Sequence, residues 1–305
     1  MAGSPDGGAV PMAGIGCNGA VDARVPYRAR FATRAGRRGR GWGRRFRDLL
    51  AKSAGARLHG LAGACAFAAV LAAAALGGGA GQSIGTPRAA GGHWHAVLAA
   101  GDSSEPVFDN ATGALRDWLV EQSVRPEDIR RFSAGPGVPG SARSLKRKLL
   151  QGIAGLSARP GDRCLIFLTS HGEHGGGFYL AAADETLAPA DLARALGQGC
   201  GRVPTVVIVS ACYSGAFAAG AMPAANRIIL TAARADRPSF GCQADRTYTF
   251  FDECLLDALP KAATWAGAFA GVRACVSGLE QHLELEASEP QASFGTAVRN
   301  LPLRF

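Results

Sequence analysis

Leu165-Ile166-Phe167-Leu168-Thr169-Ser170-His171-Gly172 and Val206-Val207-Ile208-Val209-Ser210-Ala211-Cys212 are the two stretches on which the reading of this chain turns. Each begins as an unbroken apolar run of four residues, all β-branched in the second. A run without polar alternation reads as a strand covered on both faces, as in a parallel sheet between helix layers. Each run also ends in a reactive side chain, an imidazole in one case and a thiol in the other. In an open α/β sheet the carboxyl ends of parallel strands share one edge, so the two groups are expected to meet there.

The surrounding pattern fits that architecture. His93 to Gly101 reads as a first strand, followed by a helix from about Ala111 to Gln122 with Leu115, Trp118 and Leu119 at helical spacing. After the loop Gly135 to Gly140, Ser141 is placed to cap a helix carrying Leu145, Leu149, Leu150 and Ile153 on one face. The strand Cys164–Thr169, a short strand Gly177–Leu180, a helix Pro189–Leu196, the strand Thr205–Val209 and a further strand Arg227–Ala232 follow. Two helices, Phe250–Leu259 and Thr264 to about Leu285, close the region. The expected fold class is α/β, a three-layer α/β/α sandwich around a mostly parallel sheet.

Charge divides the chain differently. Of its 33 Lys and Arg and 24 Asp and Glu, 12 and 3 fall within residues 1–60, so the excess of +9 belongs to that arm and the remaining 21 basic and 21 acidic residues cancel. The arginines from Arg34 to Arg47 have no aromatic ladder or recognisable binding fold around them, and no nucleic-acid partner is expected. Leu58 to Leu76, followed by Gly77-Gly78-Gly79-Ala80-Gly81, reads as an export signal or membrane anchor behind a basic region. A buried Ala-rich helix is the alternative. The expected organisation is a basic arm over 1–57, a signal or anchor over 58–81, a linker over 82–92 and one catalytic domain over 93–305. Positive-inside logic leaves the arm in the cytoplasm and the domain across the membrane, periplasmic or anchored through residues 58–81.

The eight cysteines show no CxxC spacing, which argues against a zinc ribbon; some of Cys200, Cys242, Cys254 and Cys275 are candidates to pair in an oxidising compartment. His171-Gly172-Glu173-His174 lacks the one-turn separation of a HExxH zinc helix, and no metal or cofactor is expected. The chemistry of the two strand ends points elsewhere. A free thiol is mostly protonated at neutral pH, and a neighbouring imidazole can take its proton and later return one to a leaving amine. Tyr213 to Ala219 reads as a turn entering a small-residue helix whose N-terminus would favour the thiolate. Gly172 can bring a bare N–H to the reacting carbonyl, and with the N–H of Cys212 form an oxyanion hole. The plainer alternative is a core thiol at Cys212 and a loop histidine at His171.

Ser170-His171-Gly172, Ser210-Ala211-Cys212-Tyr213-Ser214-Gly215, Leu230-Thr231-Ala232-Ala233 and Ser239-Phe240-Gly241-Cys242 together resemble the legumain (asparaginyl endopeptidase, hemoglobinase) family of cysteine peptidases, in its bacterial form. The resemblance spans roughly Trp94 to Leu285. It implies a caspase-like fold, a protein or peptide substrate, His171 as base, Cys212 as nucleophile, and Gly172 with Cys212 as oxyanion donors. It also implies a specificity pocket including Ser239 and Asp252. Ser210 stands where legumains carry a glutamate, and Asp109-Asn110 where they carry an arginine-histidine pair. With Asp109 and Asp252 both acidic, the pocket is expected to welcome Arg or Lys; for Asp109 a helix N-cap is the alternative. Endopeptidase hydrolysis is the leading reading. A transpeptidase using the same dyad and a non-enzymatic scaffold with the same fold are the alternatives.

Overall fold

The structure, a computed structural model, describes residues 92–305. The basic arm, the apolar segment 58–81 and all of the linker but residue 92 lie outside the described residues. Among the described residues, no helix is long and apolar enough to cross a membrane.

In chain order the elements are β1 (Trp94–Ala100), α1 (Pro106–Glu121), β2 (Ile129–Ser133), β3 (Ser141–Arg143), α2 (Lys146–Ala154), β4 (Arg163–Thr169), β5 (Gly172–Glu173), β6 (Gly177–Leu180), β7 (Glu185–Leu187), α3 (Pro189–Gly199), β8 (Thr205–Ser210), β9 (Arg227–Thr231), α4 (Phe250–Ala258), α5 (Trp265–His282) and β10 (Gln291–Phe294). The main sheet runs in the order β10-β9-β8-β4-β1-β2-β3, parallel throughout except for β10, which is antiparallel to β9. A small antiparallel sheet, β5-β6-β7, follows directly on β4.

The unbroken apolar runs are explained by the two cores they separate. Ala96, Leu98, Leu165, Phe167, Val206 and Ile208 face one layer, with residues of α1, α4 and α5. Val97, Ala99, Ile166, Leu168, Val207 and Val209 face the other, with residues of α2 and α3. Alternate side chains of one strand thus enter opposite cores, and neither face tolerates polarity. The three-layer α/β/α sandwich is the expected one.

Three local expectations differ from what forms. Ser141 does not cap α2: residues 141–143 join β2 as an edge strand, and the Ser141 hydroxyl donates to the Val138 carbonyl at 2.7 Å. The N-cap of α2 is Leu145, with no side-chain cap bond. The helix after the first strand starts at Pro106, five residues earlier than its apolar spacing indicates, because proline suits the first helical turn. The small-residue helix expected after Cys212 is a five-residue 3₁₀ segment, Ser214–Ala218.

Candidate active site

Pairing between β4 and β8 runs in register from Cys164 opposite Thr205 to Thr169 opposite Ser210. His171 and Cys212 each lie two residues beyond that last pair, and the Ser170 N–H donates to the Ser210 carbonyl at 3.1 Å, carrying the alignment past the strand ends. On the other side of β4, Ala100 of β1 pairs with Thr169. Asp102 is likewise two residues further on. One row across three neighbouring parallel strands therefore holds Asp102, His171 and Cys212, a carboxylate, an imidazole and a thiol in that order.

The contacts follow the row. Asp102 Oδ2 lies 3.6 Å from His171 Nε2, and Asp102 Oδ1 accepts the Ser104 N–H at 2.7 Å, which fixes the carboxylate. Phe108, from the first turn of α1, meets the His171 ring edge-on at 5.2 Å between centroids. His171 and Cys212 line one small cleft together with Phe108, Ser170, Ser210 and Ser239, among others. Among the described residues Cys212 is the one free thiol.

Gly172 holds the two loops together by having no side chain. A Cβ built there would sit 1.9 Å from the carbonyl oxygen of Cys212. This approach brings the Gly172 N–H to the thiol: backbone N–H groups of Ser239, Gly172 and Cys212 itself all act on the sulfur. The Ser239 N–H donates to Sγ at 3.3 Å, and the Ser239 carbonyl lies 3.4 Å from it. Tyr213, next in sequence, sits in the left-handed region at φ 57°, an uncommon conformation for a bulky side chain and one that turns the chain sharply after Cys212.

Burial sets the charge state. It pushes the Cys212 thiol up, more than the three backbone donors pull it down. Burial likewise lowers the His171 imidazole, opposed by the charges of Asp102 and then Glu105. The resting pair at neutral pH is thus an uncharged thiol beside an uncharged imidazole. This differs from the expectation of a thiolate held at a helix N-terminus, because a five-residue 3₁₀ turn has little macrodipole to offer.

The remaining sequence candidates separate. Ser210 and Ser239 line the cleft. Asp109 and Asp252 do not. Asp109 Oδ2 accepts the Ser103 hydroxyl at 2.7 Å, and the same hydroxyl oxygen accepts the Gly135 N–H at 2.6 Å, so Asp109 braces the loops after β1 and β2. Neither is it the cap of α1, whose N-cap is Glu105. Asp252 is fully buried, accepting the Thr169 hydroxyl at 2.7 Å, with its own N–H donating to the capping Thr249 hydroxyl at 3.1 Å. Its carboxyl is pushed up to about 6 by that burial. Asp102 was not singled out from sequence. Its signal was positional: it follows Gly101 at the end of β1, and only the order of strands puts β1 beside β4.

His174 stacks on Tyr213, with ring centroids 4.0 Å apart and Nε2 within 2.9 Å of the tyrosine hydroxyl. Among the described residues no cluster of three His, Cys, Asp or Glu is arranged to hold a metal ion.

A row of acid, imidazole and thiol, with bare amides at the sulfur, has the groups that cysteine-peptidase chemistry uses. Residues 146–285, which contain both His171 and Cys212, match the model of the Peptidase C13 family, and over them the chain is legumain-like. Among solved structures, caspase-1 from Spodoptera frugiperda aligns at 15% identity with a TM-score of 0.49, over 67% of this chain and 86% of that one. No curated protein sequence matches.

Proposed function

We propose that this protein is a cysteine endopeptidase in which Cys212 attacks the scissile carbonyl, with His171 as general base and then general acid. The observation that carries this reading is the shared register of Asp102, His171 and Cys212 at the ends of β1, β4 and β8. Because thiol and imidazole both rest uncharged, proton transfer from Sγ to His171 accompanies the attack. The imidazolium so formed faces Asp102, whose carboxylate stabilises it. The carbonyl oxygen becomes an oxyanion facing the N–H groups of Gly172 and Cys212, donors typically worth about 3 kcal/mol each in such sites. Collapse breaks the C–N bond, and His171 returns the proton to the departing amine. Water, deprotonated by His171, then attacks the thioester and releases the acid.

An exported location belongs to the same proposal. Among the described residues Cys164 is bridged to Cys200 and Cys254 to Cys275, which suits an oxidising compartment. The basic arm followed by the apolar segment 58–81 supports the same placement.

The test of the chemistry is a thiol-directed activity probe together with peptide cleavage. Wild type is expected to be labelled and active, Cys212→Ala neither. Equal labelling of both, with no peptide cleaved by either, overturns the proposal.

A further inference from the structure

We propose that His174 and Tyr213 are positioning residues for the oxyanion site: their ring stack and hydrogen bond clasp the loop after β4 to the loop after β8, and so set the distance between the N–H groups of Gly172 and Cys212. This rests on the peptidase reading. The two donors belong to different loops, and the alignment inherited from the sheet reaches as far as the bond from the Ser170 N–H to the Ser210 carbonyl. Beyond that bond their separation depends on contacts between the loops themselves. Two of those contacts are close approaches. A Cβ at Gly172 would lie 1.9 Å from the Cys212 carbonyl oxygen, and one at Gly176 would lie 2.1 Å from the Ala216 Cβ. A glycine permits approach but supplies no side-chain attraction. His174 and Tyr213, 39 residues apart in sequence and lying between these two points in their respective loops, supply it. Their ring centroids are 4.0 Å apart at an interplanar angle of 34°, and His174 Nε2 lies 2.9 Å from the Tyr213 hydroxyl.

The backbone of Tyr213 shows what the clasp holds. At φ 57° and ψ 13° this residue occupies a region that a bulky side chain keeps only where its surroundings impose it. The peptide joining Cys212 to Tyr213 is gripped at both ends, its carbonyl against Gly172 and its N–H donated to the Arg237 carbonyl at 2.8 Å. Rotation of Tyr213 toward a negative φ would swing that peptide away from Gly172 and shift the Cys212 N–H with it. The tyrosine ring leaves the same Cα, so fixing it against His174 resists the rotation.

The two loops differ in how they are otherwise anchored. Directly after Tyr213, the Ser214 hydroxyl accepts the Ala233 N–H at 3.2 Å, which ties the second loop to the end of β9. The first loop turns through Gly175 and Gly176, at φ 91° and 87°, between β5 and β6. Glycine has the most freedom to lose on ordering, so this turn is stiffened chiefly by what it leans on. The clasp also stands apart from the packing that keeps the domain folded. His174 is exposed and Tyr213 half-buried, and neither joins the apolar cores. Its removal is therefore expected to move the donors while leaving the fold intact.

The experiment compares His174→Ala, Tyr213→Phe and the double variant with wild type in the full chain, beside Cys212→Ala, on the peptide that wild type cleaves best from a fluorogenic library. His174→Ala is expected to lower kcat by about 10-fold and Tyr213→Phe, which keeps the ring and loses the hydroxyl, by about threefold, part of what one oxyanion donor supplies; KM stays within about twofold. The double variant is expected to fall no further than His174→Ala, because both changes remove one contact. His174→Gln, which keeps an acceptor for the phenol hydroxyl, is expected to recover part of the rate. Two reagents separate a displaced donor from a disturbed cleft. A peptide aldehyde of the same sequence takes up the Cys212 thiol as a hemithioacetal whose oxygen occupies the oxyanion site, and its affinity is expected to weaken in step with kcat. Iodoacetamide alkylates Cys212 by displacement of iodide, with no oxyanion formed, and its rate is expected to stay within about twofold of wild type. Unchanged kcat in His174→Ala overturns the clasp and leaves the peptidase reading standing, as does an iodoacetamide rate that falls in parallel with kcat. No Cys212-dependent cleavage of any peptide by wild type overturns both.

Discussion

Asp102, His171 and Cys212 illustrate how position along a sheet edge converts ordinary side chains into a coupled set. His171 is depressed by its burial, so in the proposed mechanism protonation shuts off the base only below the usual histidine range. Activity is expected to rise with pH through that depressed value. Asp102 opposes the depression, so Asp102→Asn is predicted to move the acid limb of kcat/KM to lower pH and to reduce kcat/KM by roughly 10- to 100-fold, part of what proton transfer supplies. A pH-rate profile checks both; a lower rate with an unmoved limb would make Asp102 merely structural. Asp252 behaves in the opposite sense. Burial pushes its carboxyl from the ordinary 3.8 up to about 6, so between these values the folded chain holds the proton more tightly than the unfolded chain. Its contribution to stability is present below that window and is lost as pH rises through 6, by up to about 3 kcal/mol. Relative to wild type, Asp252→Asn is predicted to gain stability between pH 4.5 and pH 7, read from urea unfolding at the two values.

Loops and short elements decide whether that row can work. The ends of β4 and β8 meet only because residue 172 has no Cβ, the carbonyl of Cys212 occupying the place where one would be. Gly172→Ala is predicted to force the two loops apart and to lower kcat/KM by about 10²- to 10³-fold through the displaced oxyanion donor, with a smaller fall in melting midpoint. Steady-state kinetics beside thermal unfolding separates the two effects. The strands β4, β8 and β9 could be read from their apolar runs, and α4 and α5 from their periodicity. β3 and β10 could not. Ser141–Arg143 and Gln291–Phe294 are edge strands of partial burial, recruited by neighbours that already have one free edge. The segment after Cys212 forms a 3₁₀ turn instead of the expected helix where Gly215 packs so closely that a Cβ there would lie 2.5 Å from the Ala235 backbone N, a tertiary constraint with no local signature.

Seen as one body, the described part of the chain is a nearly neutral sandwich, with 20 Lys and Arg against 21 Asp and Glu, whose two helix layers are each tied by a disulfide. Cys254–Cys275 joins α4 to α5 in one core, and Cys164–Cys200 joins β4 to the end of α3 in the other. The pairing of Cys254 with Cys275 falls within the sequence expectation, while Cys164 was outside it. It begins an unbroken apolar strand run, a pattern that carries no pairing signal. Closing loops of 21 and 36 residues, each bridge is expected to contribute about 3 kcal/mol. The double variant Cys254→Ala/Cys275→Ala is therefore predicted to lose roughly that much in urea unfolding while keeping Cys212-dependent activity. A loss of activity at temperatures where the variant is fully folded would tie this bridge to the site as well.

The alternation of apolar runs with amphipathic stretches was enough to specify the layers, the parallel sheet and the edge on which His171 and Cys212 emerge, because each depends on a contiguous stretch of chain. The order of strands put β1 beside β4 and so brought Asp102 to the imidazole, a matter of which buried faces fit together. Folding also drew Asp109 and Asp252 into bonds with Ser103 and Thr169, lowered the His171 imidazole and raised the Cys212 thiol by burial. Those outcomes depend on burial and on contacts between segments up to 83 residues apart, as from Thr169 to Asp252, and no local pattern encodes them.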